Sequence, residues 1–157
     1  MAIKVLELHH HGIRVKRDKA DECKAFYEGV LGLNADAGRP TIPGIPGYWM
    51  DLPDDTQIHI MGCDDVSPFA KGPGQDPTRY HVALAVESVP EAKAELDRMG
   101  VKYWTMTSLV GPELEQLFMD DPNGNMVELH QIGTCRCKKS DRSAPTGYTA
   151  PTPPSMA

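Results

Sequence analysis

The sequence has no apolar run near the roughly 18 residues that a membrane-spanning helix requires, and its four cysteines include no C-x-x-C pair. The first lack argues against a membrane partner. The second, with Cys23 on the apolar face of a predicted helix where a buried free thiol is common, fits a reducing compartment. The opening Met-Ala-Ile-Lys-Val-Leu-Glu-Leu lacks the basic-then-apolar order of a secretory signal, so a cytoplasmic location is expected. Positive charge is also scarce. The formal net charge is −6, and Lys and Arg are scattered apart from Arg136-Cys137-Lys138-Lys139, which argues against nucleic acid as a partner. Cys135-x-Cys137 in this stretch reads as incidental rather than as a soft-metal site.

What is present suits one globular unit: 157 residues, 40% hydrophobic and 24% charged, enough for one core and too few for two ordinary domains. Two stretches follow the same plan. His10 to Val15 reads as a strand, followed by a helix over Ala20 to Leu31 and a Gly32-Leu33 stop. His81 to Val86 reads the same way, followed by Pro90 at a helix start, Ala92, Leu96 and Met99 at helical spacing, and a Gly100-Val101 stop. Alternating stretches come after each helix, Tyr48 to Leu52 and Gln57 to Met61 in one half, Glu115 to Met119 and Asn125 to His130 in the other. The expected class is therefore α+β, two paired βαβββ modules at about 5–62 and 78–131 within a single domain over 1–133. A Pro-rich tail over 134–157 is expected to be mobile or to wrap a neighbour.

Strand alternation assigns faces. Val82, Leu84 and Val86 belong under a helix, which leaves His81 with Ala83 and Ala85 on the reverse. His10, Gly12 and Arg14 oppose Ile13 and Val15 in the same way, and His9 and His11 should point away as structural residues. Ile58 and Ile60 bracket His59; Val127 and Leu129 bracket Glu128. A bare carboxylate on such a surface is costly unless paired or coordinated. Imidazoles and a carboxylate on one face are usual ligands of a single divalent ion, Fe, Mn, Ni, Zn or Co. His10, His59, His81 and Glu128 form the expected ligand set, His59 being either ligand or catalytic base. His130 lies on the same face as Glu128, and the proline-stiffened stretch from Arg39 to Trp49 suits the wall or lid of a pocket. Met50, Met61, Met119 and Met126 read as packing.

Several pieces carry a family resemblance: His10-x-x-x-x-Val15, Ala25-Phe26-Tyr27-Glu28-Gly29-Val30-Leu31-Gly32-Leu33, Gln57-Ile58-His59-Ile60, His81 to Val86, and Asp121-Pro122-Asn123-Gly124-Asn125-Met126-Val127-Glu128-Leu129. Together they resemble the vicinal oxygen chelate superfamily, which holds glyoxalase I, methylmalonyl-CoA epimerase, extradiol dioxygenases and the fosfomycin- and bleomycin-resistance proteins. The resemblance spans roughly residues 5 to 131. It implies a cup-shaped mixed sheet with helices outside, metal ligands at His10, His81 and Glu128, and a small-molecule substrate; since paired modules in a chain this short often need a partner to complete the cups, a homodimer is expected. His59 falls where glyoxalase I has a metal-binding glutamate, and Arg14 where that enzyme has an arginine near a substrate carboxylate. Phe118 falls where extradiol dioxygenases carry a tyrosine. Trp49 and Phe118, with Arg14, are the expected substrate-binding residues.

The leading expectation is a glyoxalase-like lyase or isomerase that grips two neighbouring oxygens of its substrate. The alternatives are an extradiol Fe(II) ring-cleaving dioxygenase and a resistance-type protein that binds a drug or metabolite without turnover.

Overall fold

The structure is a computed structural model and describes residues 3–134, 136–138, 142 and 147–156. Strand β1 (Val5–Val15), helix α1 (Ala20–Gly29), β2 (Asn34–Ala35), β3 (Gly47–Asp51) and β4 (Gln57–Gly62) make the first module. The second consists of β5 (His81–Val86), α2 (Val89–Met99), β6 (Trp104–Thr107), β7 (Glu115–Asp120) and β8 (Met126–Gln131). The fold is α+β. All eight strands form one curled sheet in the order β2-β3-β4-β1-β5-β8-β7-β6. The two first strands, β1 and β5, meet antiparallel at its centre, each flanked on its other side by the last strand of its own module in parallel register. No helix among the described residues is long and apolar enough to cross a membrane.

Local sequence accounts for α2. The Ser88 hydroxyl accepts from the Glu91 amide at 3.2 Å, Pro90 occupies the first turn, where its missing N–H costs nothing, and Gly100 ends the helix at φ 68, a left-handed position that glycine adopts freely. Its apolar stripe, Val89, Ala92 and Leu96, is buried against Leu117 of β7 and Leu129 of β8.

Helix α1 is the less covered copy. It rests on β3 and β4, and Ala20 is its one residue classed as buried. Phe26 is 51% exposed, while Val30, Leu31 and, on β1, Leu6 and Leu8 are also open. The sequence gives both helices an apolar face, but only the second sinks it into the sheet.

A second core fills the concave side. Ile42 and Ile45 from the β2–β3 loop meet Met106, Leu109, Phe118 and Met126 of the other module, with Ala150 of the tail. Thr149 bridges to Thr41, so this part of the tail closes the cup from the side. Backbone contact is closest at Gly47, where an added Cβ would lie 1.9 Å from the Ile60 carbonyl oxygen. Gly47→Ala should therefore prise β3 from β4 and lower stability by at least about 2–3 kcal/mol, the upper range for overpacked sites, read as a drop in the urea midpoint.

Candidate metal centre

Partners in a strand ladder share a face, so sheet register determines which side chains meet. Across β1 and β5, His10 pairs with Ala83 and Gly12 with His81; across β5 and β8, Ala83 pairs with Glu128. The small residues leave room for their neighbours. His10 Nε2 lies 3.0 Å from Glu128 Oε2, His81 Nε2 lies 3.2 Å from the same oxygen, and the two Nε2 atoms are 3.2 Å apart. All three side chains are buried.

The proton positions explain why this triangle suits a cation. His81 Nδ1 is 2.6 Å from the carbonyl oxygen of Arg79. A carbonyl only accepts, so Nδ1 carries the hydrogen and a neutral His81 presents a bare Nε2. That lone pair faces a carboxylate oxygen and a second imidazole nitrogen. One proton can bridge two of the three atoms; a metal ion can bridge all of them. Bonds of about 2.1 Å put neighbouring ligand atoms roughly 3.0–3.4 Å apart for right-angled to tetrahedral arrangements, which the observed sides match. The donor set fits a divalent ion.

Burial pulls the His10 imidazole down to about 4 against the attraction of Glu128, so the ring is neutral near pH 7, as a ligand must be. Burial opposes the Glu128 charge, but contacts with His10 and His81 outweigh it and hold the carboxyl well below its ordinary value. Its other oxygen, Oε1, accepts from Gln116 Nε2. Gln116 went unnoticed in the sequence, although it shares with Phe118 the alternation of β7 that places both on the inner face.

His59 is placed differently. Its ring is stacked between Trp49, with centroids 4.1 Å apart, and His10, at 3.7 Å. Gln57 Nε2 donates to Asp51 at 2.9 Å, which turns the amide oxygen toward His59 Nε2, also at 2.9 Å. His59 Nε2 is therefore the donor. Burial, with the neighbouring His10 ring, holds this imidazole well below its usual pKa. Geometry groups His59 with His10 and Cys137 rather than with the His10, His81 and Glu128 triangle.

Three other placements bear on the sequence reading. His9, expected to point away, lies on the inner face: the register of β1 shifts between Leu8 and His10, and this bulge brings the His9 ring to 5.5 Å from that of His130. A bulge turns two successive side chains to one side, which strict alternation cannot foresee. His11 does face outward, beside Tyr80. Arg14 donates to Cys63 Sγ at 3.0 Å and lies 3.6 Å from Asp76, and it is absent from the residues lining the pocket.

The tail contributes directly. Cys137 Sγ is 3.1 Å from His10 Nδ1, while Arg136 pairs with Asp36 at 2.7 Å. The sequence assigned no role to Cys135-x-Cys137. Cys135 lies outside the described residues. Cys137 is disulfide-bonded, which the reading of a reducing compartment did not foresee; its sulfur can only accept, so it holds the far nitrogen of a candidate ligand as a donor.

Above the triangle, Arg39, Ile42, Ile45, Trp49, Leu109 and Phe118 are among the walls of a pocket of about 40 Å³, room for one to three waters. Phe118 stacks on Trp104 at 4.3 Å and meets the His81 ring edge-on. A substrate of any size requires the β2–β3 loop or the tail to move aside.

A family model described as Glyoxalase/Bleomycin resistance protein/Dioxygenase superfamily matches residues 7–129. The chain belongs to this superfamily. Among relatives within it, a curated Arabidopsis thaliana protein, "Glyoxylase I 4", is 29% identical over 120 residues, covering 74% of this chain and 64% of its own length. The chain thus spans less than two thirds of that relative. Methylmalonyl-CoA epimerase from Mycobacterium tuberculosis superposes with a TM-score of 0.62 at 20% identity, covering 83% of this chain and 90% of the epimerase. Homoprotocatechuate 2,3-dioxygenase from Brevibacterium fuscum gives 0.54 at 16%, covering 83% of this chain and 33% of the dioxygenase. At such identities the two structures share the superfamily's fold and nothing finer.

Proposed function

We propose that this superfamily member is a divalent-metal-dependent lyase or isomerase acting on a small substrate held through two neighbouring oxygens. The observation that carries the proposal is the convergence of His10 Nε2, His81 Nε2 and Glu128 Oε2 with no hydrogen available to satisfy all three. These three residues would hold the ion, which when bound supplies Lewis-acid polarisation of substrate oxygens. Gln116 keeps the Glu128 carboxylate turned toward the histidines. His59 is the proton-handling group: a neutral imidazole backed by the Gln57–Asp51 chain, at the pocket wall beside Trp49. Trp49 and Phe118 exclude water from the floor of the cup, raising the weight of every charge there.

A second reading is favoured by the ligand set itself, since two histidines and one carboxylate around open positions suit non-haem Fe(II) and dioxygen. Phe118 offers no hydroxyl for that chemistry. One experiment separates them. Protein purified without added metal is given 2-hydroxy- and 2-oxo-acid derivatives in deuterium oxide and, separately, catechols in an oxygen electrode cell. Deuterium incorporation without oxygen uptake, abolished by a chelator, is expected; oxygen consumption with a ring-opened product overturns the first reading for the second.

We further propose a homodimer. Leu8, Tyr27, Ile58 and Tyr80 line an open apolar groove beside α1, continuous in composition with the exposed Phe26, Val30 and Leu31, and such a surface is what a second subunit covers.

A further inference from the structure

Arg39 stands out among the charged side chains of the cup. It lines the same pocket as His10, His81 and Glu128, yet its hydrogen bonds go to neutral backbone oxygens, Pro40 at 3.3 Å and Ile45 at 3.0 Å. Its Nε is buried with no partner. No acidic side chain pairs with it among the described residues, whereas Arg14, Arg79, Arg98, Arg136 and Arg142 each have one.

A half-buried guanidinium whose Nε is shut off from water, with no counter-ion beside it, is costly. Burial lowers the Arg39 pKa to about 10, which still leaves it charged at pH 7. Carbonyl contacts satisfy part of the fork but none of the charge. A planar carboxylate does both, because it accepts two parallel N–H bonds from a guanidinium. The rest of the pocket wall is apolar and aromatic, Ile42, Ile45, Trp49, Leu109 and Phe118, which suits a hydrophobic or ring-bearing body between the carboxylate and the metal-facing oxygens.

We propose that Arg39 is the specificity residue of this pocket and that the substrate carries a carboxylate, separate from its metal-facing oxygens, on an apolar or aromatic body. This deepens the function proposed above and rests on the cup being the substrate site. It also replaces Arg14, whose guanidinium is engaged with Cys63 and Asp76, as the group that meets the anion.

The test compares phenylacetate with phenylacetamide, equal in shape and differing in charge, by quenching of tryptophan fluorescence, since Trp49 lines the pocket. It is run on the protein as purified and again after chelator treatment. Phenylacetate should bind at least about tenfold more tightly than the amide, the size expected for a charge-assisted hydrogen bond. The ratio should fall close to one in Arg39→Met and partly return in Arg39→Lys, with circular dichroism unchanged in the lysine variant. A loop-clamping role alone would weaken both ligands equally and leave the ratio intact. A ratio near one in the parent protein, a ratio unchanged in Arg39→Met, or no saturable phenylacetate binding overturns the proposal. Preference that persists after chelation in a protein with no metal at all would sustain the Arg39 site while removing the metal-dependent function, so the two failures are distinguishable.

Discussion

His81→Ala, purified beside the parent chain without added metal, is expected to lose bound divalent ion from near stoichiometric to near none by elemental analysis. His81 supplies one corner of a triangle whose sides are 3.0–3.2 Å, and its orientation is imposed by the Arg79 carbonyl. Loss of an outer partner of a ligand typically costs roughly 10–100-fold in metal affinity, and loss of a ligand itself should exceed that. Glu128→Gln gives the sharper contrast. If the trio were only a buried hydrogen-bonded cluster, removing the charge would uncouple both histidines and destabilise the chain by about 3–5 kcal/mol. For a metal centre, Glu128→Gln should in addition lose its bound ion, because the amide keeps the shape of the side chain and an accepting oxygen but lacks the charge. Equal metal content in parent, His81→Ala and Glu128→Gln would sink the assignment.

Gly12→Ala should cripple the same centre without touching any ligand. A Cβ at position 12 would sit 2.4 Å from His81 Cε1 and 2.7 Å from its Nε2. The ring cannot yield freely, since its Nδ1 is held by Arg79 and Phe118 stands at its edge. Either the His81–Arg79 bond breaks or β1 separates from β5. We expect metal affinity to fall about as far as on loss of the ligand, with a stability cost of about 1–3 kcal/mol. Gly29→Ala, at the end of α1 where an added Cβ meets nothing, is the control and should leave metal titration curves unmoved. Wild-type metal affinity in Gly12→Ala would show that the His81 ring has room that the geometry denies it.

Legibility of this centre varied by residue. Glu128 could be read because Val127 and Leu129 bracket it, His10 and His81 because alternation from Ile13 and Val15 and from Val82, Leu84 and Val86 sets their face, and the duplication put the two histidines at matching strand positions. Arg14 shows the limit of that argument. Its face was readable, but whether it reached the pocket depended on Asp76 and Cys63, more than forty-five positions away. His9 failed for a different reason: one bulge in β1 cancels alternation locally. Cys137 gave no periodic signal at all, because a tail residue contacts His10 through chain reversal over 127 positions.

The sequence alone determined the duplicated βαβββ scheme, the polarity of each strand face and the residue types able to hold an ion, since these follow from alternation and helix punctuation over a few neighbouring positions. Only the tertiary structure decided which of those groups share one point in space. That outcome depends on the register of β1 against β5, the crossing of the tail and the half-burial of Arg39 without an acid beside it. Each is a packing result between distant segments, where small shifts of a strand or loop change the partner without changing the local pattern.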